Sequence, residues 1–275
     1  MRELIKQLSA IAVIVAVVWF GYQENWLDKI MEAGDSAGEK IGNSTGNERA
    51  DAPHWDKYFK DPGDNPQRPY ADYNNKALEV LGNNVHDFQE DPGYKRNKFF
   101  IHSGTWNKVS MQESLDAGWK DFPNKKCSVR NAVLIEQGKN VKYTKSCKIT
   151  SGVFEDRYGE KNKSGKITYA KSKNKGDFDI DHVVALSLGW RSGMSQAEES
   201  LRNMFANDKA NLVISDSSLN RSKGDQSIDE WFPPQGSKYH CDYADRYAYI
   251  KAKYGMTITQ DELNTLKGQL DKCNA

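Results

Sequence analysis

The strongest constraint on the fold of this chain is an ordered set of polar residues between positions 179 and 224. Asp179-Ile-Asp-His-Val-Val-Ala-Leu places an acidic residue directly before a histidine, in a short run that is β-branched and apolar. Asn211 and Asn220 follow, nine positions apart. Carboxylate and amide oxygens suit a hard divalent ion, and a neutral histidine is a natural base near pH 7. The set therefore predicts a metal beside a general base, as hydrolysis of a phosphodiester bond requires.

Charge is distributed unevenly along a chain whose formal net charge is only +1. From Glu24 to Pro66 there are ten acidic and five basic residues, whereas Lys120 to Ile180 holds fifteen Lys/Arg and seven Asp/Glu. A basic stretch that leads into the polar set is typical of a phosphate-binding face. The alternative is a solvated, lysine-rich surface.

The N-terminus predicts export. Arg2 and Lys6 precede an uncharged stretch to Gln23, with an apolar core over 11–20 that is shorter than the ~20 residues of a membrane-spanning helix. Because bulky residues follow in place of an Ala-x-Ala-like cleavage site, we expect residues 1–23 to be a membrane anchor that faces the periplasm or the cell exterior. Cleavage, which would make the protein secreted, is the alternative. Residues 24–70, rich in Gly, Ser, Asn and Asp, predict a flexible linker, and 71–275 the folded domain.

The four cysteines all lie beyond the apolar segment, as expected for disulfides in an exported protein. Of the three possible pairings we expect the nearest in sequence, Cys127–Cys147 and Cys241–Cys273. A zinc site made by Cys241, Cys273 and His240 is the alternative, although no Cys-x-x-Cys pair is present.

Hydrophobic periodicity and turn signals predict an α+β fold with a small metal-binding hairpin-and-helix element at its centre. One segment begins as a strand at Ile180 and continues as a helix through Trp190, and Val129–Ile135 fits either a helix or a strand. Thr259 with Glu262 forms a capping-box pattern. The expected helices are Lys76–Leu81, Gln196–Ala206, Tyr243–Tyr254 and Thr259–Leu270. The expected strands are Val141–Ile149, Val153–Tyr158, Ile167–Ala170 and Asn211–Ser215, with a turn over Asp216–Arg221.

The ordered polar set resembles the HNH, or ββα-metal, endonucleases. The closer resemblance is to exported HNH nucleases related to the C-terminal domain of GmrSD-type restriction enzymes, and it extends roughly from Tyr94 to Cys273. Several blocks of sequence carry it besides the set itself: Tyr94-Lys-Arg-Asn-Lys-Phe, Cys127-Ser-Val-Arg-Asn-Ala-Val-Leu, Ser151-Gly-Val-Phe-Glu-Asp-Arg-Tyr-Gly, Trp190-Arg-Ser-Gly, Phe205-Ala-Asn-Asp, Asn220-Arg-Ser-Lys-Gly-Asp and Trp231-Phe-Pro-Pro.

The resemblance implies a role for each member of the set. His182 would activate water as general base, and Asp181 would be a metal ligand. Asn211 would be the central asparagine that ties the hairpin together and orients the His182 backbone. Asn220 would be the second metal ligand, at a position where many relatives have histidine. Asp179 is either a third ligand or a polar residue on the opposite face of the strand.

The resemblance also implies cofactor and substrate contacts. Asp plus Asn is an all-oxygen ligand set, which favours Mg²⁺ or Mn²⁺ over Zn²⁺. Lys223 and Arg221 would bind phosphate. Arg130 belongs to a matching block and is a further candidate for the catalytic site.

We therefore expect an exported, metal-dependent HNH endonuclease that acts on DNA, with RNA as an alternative substrate. Two other hypotheses remain at this point. The chain could be a non-catalytic exported domain that binds DNA or an envelope partner on an HNH scaffold, or an effector nuclease directed at competitors. Trp190 and Trp231 are expected in the core. The sequence does not determine the oligomeric state.

Overall fold

The computed structural model describes Phe59 and residues 67–89, 93–99, 119 and 127–275. These residues form a mixed α+β fold, which confirms the predicted fold class. The helices are α1 (Asn74–Gly82), α2 (Val129–Gln137), α3 (Leu186–Arg191), α4 (Glu199–Asn207), α5 (Ser217–Lys223), α6 (His240–Lys253) and α7 (Gln260–Asn274). The strands are β1 (Lys139–Tyr143), β2 (Ile149–Glu155), β3 (Glu160–Lys161), β4 (Ile167–Thr168), β5 (Lys171–Ser172), β6 (Phe178–His182) and β7 (Leu212–Asp216).

Helix α6 is the centre of the larger apolar core. Nearly all of its residues are buried, and it packs against α1 and α7. The capping box predicted at Thr259 and Glu262 is present and opens α7. Phe59 and Tyr70, both in the predicted linker, pack against Tyr249 of α6. The packed domain thus includes residues on the N-terminal side of 71.

A smaller apolar core lies between α2 and the strands. Phe154, Phe178 and Ile214 are buried there with residues of α2. Strands β1, β2 and β5 form one antiparallel sheet, in that order, and β3 and β4 form a separate hairpin. The single strand expected over Val141–Ile149 is instead the end of β1, a tight turn and the start of β2, because the chain reverses at residues 144–148.

Both disulfides predicted from the cysteine spacing are present. Cys127–Cys147 joins the start of α2 to the turn between β1 and β2, and Cys241–Cys273 joins α6 to α7. No helix in the described part of the chain is long and apolar enough to cross a membrane. The apolar segment over residues 1–23, the predicted anchor, lies outside the described residues.

The central element consists of two strands and a helix. β6 pairs antiparallel with β7, from Phe178 opposite Asp216 to His182 opposite Leu212. Helix α5 follows β7 directly, where only a turn was predicted, because the Asp216 carboxylate accepts from two backbone N–H groups of the first turn of α5. Gly224, with φ of +54°, ends the helix. Helices α3 and α4 lie in the chain between the two strands.

Candidate active site

A cleft of about 230 Å³ opens where β6 ends and α5 lies across it. Asp181, His182 and Asn220, three members of the polar set, line it together. Tyr94 and Arg96, from the segment before α2, line another part of its wall. The antiparallel pairing of β6 with β7 brings α5 beside β6, and this explains how Asp181 and Asn220, which are 39 positions apart, meet.

The hydrogen bond of His182 fixes its tautomer. Its Nε2 lies 2.8 Å from the backbone oxygen of Ala206, and a carbonyl can only accept, so Nε2 carries the proton. Burial lowers the pKa of this side chain, which is 6% exposed, from 6.5 to about 4, and the ring is therefore neutral at pH 7. Nδ1 then holds the lone pair, and within the described residues no group hydrogen-bonds to it. His182 thus offers an unprotonated nitrogen beside the cleft.

One oxygen of the Asp181 carboxylate is held by two donors. Tyr158 Oη donates to Asp181 Oδ2 at 2.5 Å, and Lys223 Nζ lies 3.0 Å from the same atom. Lys223 is completely buried and also donates to the backbone oxygen of His182 at 2.8 Å. The other oxygen, Oδ1, accepts from no donor in the described part of the chain. One Lys side chain therefore links Asp181 and His182, and one carboxylate oxygen stays available.

Tyr158 is positioned by the turn that follows β2. Asp156 Oδ1 accepts from the backbone nitrogens of Tyr158 and Gly159, at 2.9 and 2.6 Å. Gly159 has φ of +68°, and a Cβ there would lie 2.7 Å from the ring of Tyr169, so the turn requires glycine. The Tyr158 ring packs edge-on against Trp231 and Tyr243. Burial raises the pKa of Tyr158 well above its usual value, which keeps the hydroxyl protonated and able to donate to Asp181.

A neighbouring carboxylate orients the Asn220 amide. Asn220 Nδ2 donates to Asp179 Oδ2 at 3.2 Å. Because an ionised carboxylate only accepts, it selects the amide nitrogen and leaves the Asn220 oxygen free of this contact. Asp179 itself does not line the cleft.

Asn211 ties the end of β6 to the start of β7. It is fully buried, and its side-chain oxygen and nitrogen bond the backbone N–H and C=O of Val184 at 2.8 and 3.2 Å. Its own backbone oxygen accepts from Val183 at 2.8 Å. These bonds fix the chain immediately after His182.

The cations predicted around the site lie in different places. Lys223 faces Asp181 from inside the protein and does not line the cleft. Arg221 is exposed on α5. Arg130, on α2, donates to the backbone oxygens of Lys175 and Phe178 at 2.8 and 2.6 Å, which holds the start of β6 rather than the end that borders the cleft.

Two residues of the site, one in the cleft wall and one behind Asp181, were missed by sequence reasoning. Arg96 lines the cleft, and its charge contributes to the lowered pKa of His182. Tyr158 holds Asp181. Both residues lie in blocks that carry the family resemblance, Tyr94-Lys-Arg and Asp156-Arg-Tyr-Gly, and that was the available signal. Their side-chain directions depend on turns whose geometry the sequence does not specify.

The side chains fit a hard metal ion better than zinc. Within the described residues, no group of three or more His, Cys, Asp or Glu side chains gathers as a metal cage. Asp181 and Asn220 offer oxygens that are free of the donors described above and border the same cleft. Mg²⁺ is commonly held by one or two carboxylates and keeps several waters, so this sparse oxygen set suits it.

Two comparisons with known proteins found matches. The family model described as GmrSD restriction endonucleases, C-terminal domain, matches residues 128–268, just over half of the chain. An uncharacterized secreted protein of Arthroderma benhamiae is 37% identical over 149 residues, which cover 54% of this chain and 68% of that protein. No solved structure matches. The matched region contains the whole central element and all three members of the polar set that line the cleft, and the chain belongs to the family of the C-terminal domain of GmrSD restriction endonucleases.

Proposed function

We propose that the protein is a metal-dependent HNH endonuclease that hydrolyses phosphodiester bonds of DNA. The observation that carries this proposal is the pairing of a neutral His182, whose Nδ1 is unprotonated, with the Asp181 carboxylate in one cleft. Family membership supports a nucleic-acid substrate. RNA is the alternative substrate.

His182 Nδ1 takes a proton from a water molecule as that water attacks the phosphorus. The new P–O bond forms as the bond from phosphorus to the 3′ oxygen breaks, so that the 5′ end keeps the phosphate. The leaving oxygen takes its proton from solvent. The bond from Nε2 to Ala206 preserves the reactive tautomer throughout, because it keeps Nε2 protonated.

Asp181 and Asn220 would hold the metal ion, Mg²⁺ or Mn²⁺, through their oxygens. When bound, the ion supplies positive charge that stabilises charge developing on the phosphoryl group and leaving oxygen. Asp179 is a positioning residue in this proposal, since its bond to Asn220 Nδ2 turns the amide oxygen away from it.

Arg96 is the cation that we assign to the substrate phosphate, because it borders the cleft beside His182. Lys223 instead positions Asp181 and the His182 backbone from the buried side. Arg221, exposed on the same helix as Asn220, stays a proposed phosphate contact outside the cleft. Arg130 is assigned a positioning role at the start of β6.

Export is part of the proposal. The basic and apolar N-terminal segment and the secreted relative support it. In this arrangement residues 1–23 direct export as an anchor or cleaved signal and 71–275 carry the nuclease. The segment from 24 to 70 connects the two, apart from Phe59 and Tyr70, which pack against the domain. The two disulfides suit an oxidising compartment.

The test is a plasmid-nicking assay on the full-length protein, with Mg²⁺ and with EDTA. His182→Ala should lower the cleavage rate by roughly 10²–10⁴-fold, the contribution typical of a positioned general base. His86→Ala, which removes an exposed histidine outside the cleft, is the matched control and should keep the wild-type rate.

Wild-type cleavage by His182→Ala, or cleavage that persists in EDTA, would refute the proposed mechanism. DNA binding without cutting under any divalent metal, by a folded and oxidised protein, would support the non-catalytic binding domain instead.

A further inference from the structure

A second basic surface lies outside the cleft, around Glu155 at the end of β2. Lys238 Nζ pairs with Glu155 at 2.7 Å, and Lys139 Nζ lies 3.9 Å from its other oxygen. Lys171 stands opposite Glu155 in the pairing of β2 with β5. Positive charge from all three lysines lowers the pKa of Glu155, against the opposing effect of burial. We call Lys139, Arg157, Lys171 and Lys238 the cationic face.

Arg157 is the unusual member of this face. Its guanidinium lies 4.3 Å from the centre of the Tyr239 ring. Its side chain makes no hydrogen bond or ion pair with any other described residue, and burial lowers its pKa. A guanidinium stacked on an aromatic ring is pre-oriented, with its N–H donors directed away from the ring edge. A half-buried Arg that is oriented but unpaired suits an anionic ligand.

The aromatic rings of the face are already covered by cations. Lys238 Nζ lies 4.6 Å from the Tyr169 ring centre and 4.9 Å from that of Tyr239. The two rings meet edge-on at 6.0 Å. Because Arg157 and Lys238 occupy these rings, the surface presents positive charge rather than bare stacking platforms. Such a surface matches backbone phosphates better than unstacked bases.

The hairpin β3–β4 extends the same charge. It follows Gly159 directly, and Tyr169 after β4 donates to Ser237 beside Lys238. Its exposed lysines are Lys161, Lys163 and Lys166. The three lysines of the face share one carboxylate, Glu155, and Arg157 forms no ion pair within the described part of the chain, so positive charges outnumber their acidic partners there.

We infer that the cationic face binds backbone phosphates of nucleic acid outside the cleft, without reading base sequence. Arg157 directly precedes Tyr158, which holds Asp181, so a single turn of chain joins the face to the cleft wall. The inference rests on the proposed function for its ligand, a polyanion that passes through the cleft. The shared chemistry is the phosphodiester backbone, present in duplex and single strand alike.

The experiment separates binding from cutting. Full-length His182→Ala protein in EDTA is titrated against fluorescein-labelled duplex and single-stranded DNA between about 50 and 200 mM NaCl, and anisotropy is measured. Lys171→Gln/Lys238→Gln, in this background, should weaken binding on the order of tenfold at the low-salt end. The slope of log affinity against log salt should become shallower by about 2 on duplex DNA.

Lys267→Gln/Lys272→Gln is the matched control, because it removes two exposed lysines from α7 and makes the same change in net charge. Its affinity and slope should equal those of the parent. Equal losses in the two double variants would mean a general charge effect and would overturn the inference. An unchanged salt slope in Lys171→Gln/Lys238→Gln would also overturn the inference. The same holds if that variant lost binding to anionic phospholipid vesicles but kept its binding to DNA. If the wild type proves unable to cut, the binding result stands independently.

Discussion

The cleft and the helical core around α6 use the same buried combination of a carboxylate, a tyrosine and a lysine. In the helical core, Glu262 Oε1 accepts from Tyr247 and from Lys251, the latter at 2.6 Å. Its Oε2 accepts from the backbone nitrogen of Thr259 at 2.8 Å. At the cleft, Asp181 accepts from Tyr158 and Lys223 in the same manner, but through Oδ2 alone. Among the residues that the structure describes, the Glu262 carboxylate has donors on both oxygens, whereas the Asp181 carboxylate has donors on Oδ2 alone.

Asp208 is a second buried carboxylate with hydrogen-bond donors on both oxygens. Its Oδ2 accepts from Lys253 at 2.5 Å and from Tyr254 at 2.7 Å. Its Oδ1 accepts from the backbone nitrogen of Ala210 at 2.7 Å. In both helical cases a backbone N–H uses the oxygen that Asp181 keeps free beside the cleft. The comparison teaches that a buried ion pair is structural where every acceptor is satisfied, and suited to a ligand where one is left over.

The largest expected effect is a difference in cleavage rate between two double variants. One removes both charges of the Asp181–Lys223 pair, and the other removes both charges of the Glu262–Lys251 pair. Asp181→Asn/Lys223→Met and Glu262→Gln/Lys251→Met each avoid leaving a lone buried charge, so both proteins should fold. The first should lose cleavage by on the order of 10³-fold or more, because it removes a proposed metal ligand. The second should cut within about threefold of wild type.

Cleavage rates are to be measured at a temperature where denaturant titration finds both variants folded. Equal losses of activity would mean that the Asp181–Lys223 pair is no more important for cleavage than the structural Glu262–Lys251 pair. Full activity in the first variant would remove Asp181 from the proposed mechanism.

Much of this architecture could be predicted because it depends on local signals. The capping box at Thr259, the helical spacing along α6 and the nearest-neighbour disulfides follow from short sequence patterns, and each is present. A strand that continues as a helix was expected from Ile180, and a second strand over Asn211–Ser215. The observed strands are Phe178–His182 and Leu212–Asp216, and helix α3 follows the first of them. Helix α5 was expected only as a turn. Its Ser- and Asn-rich sequence has weak helix propensity, and the Asp216 cap stabilises it.

The side-chain directions within the site could not be predicted in the same way. Lys223 was expected to face phosphate, as an exposed lysine next to Arg221 would. It is buried because α5 lies across β6 and turns that position inward, a consequence of tertiary packing. Tyr158 depends on the turn at Asp156 and Gly159, and Arg96 on a segment far away in sequence. Periodicity gives the face of an element but not the partner that covers it.

Low pH should lower the stability of the folded protein through His182, and this effect can be measured without a cleavage assay. Its pKa is about 4 in the folded protein, against 6.5 for an unburied histidine, because burial disfavours the charged ring. The unfolded chain therefore binds a proton at higher pH. His182 leaves stability unaffected above pH 6.5 and lowers it progressively as the pH falls toward 4, by roughly 3 kcal/mol in total.

The measurement is the free energy of unfolding by urea, in EDTA, for wild type and His182→Gln. The other titratable groups are the same in both proteins. As the pH falls from 6.5 to 4, the free energy of unfolding of the wild type should therefore fall by about 3 kcal/mol relative to that of the variant. Parallel curves would mean that His182 is not buried as a neutral ring.

The smallest expected effect is a change in Mn²⁺ affinity when a single tyrosine hydroxyl is removed. Tyr158→Phe and Tyr254→Phe each delete one donor to a carboxylate oxygen that still keeps its lysine. If Asp181 serves a metal ion, losing Tyr158 leaves its carboxylate less firmly oriented, and Mn²⁺ affinity should fall about tenfold, as for other partners of metal ligands. Tyr254→Phe should leave that affinity unchanged, since Asp208 has no oxygen to offer. Mn²⁺ titration followed by electron paramagnetic resonance measures this without cleavage. Equal affinity in the two variants would reduce Tyr158 to a packing residue, and the hydroxyl contact with Asp181 would then stabilise the fold alone.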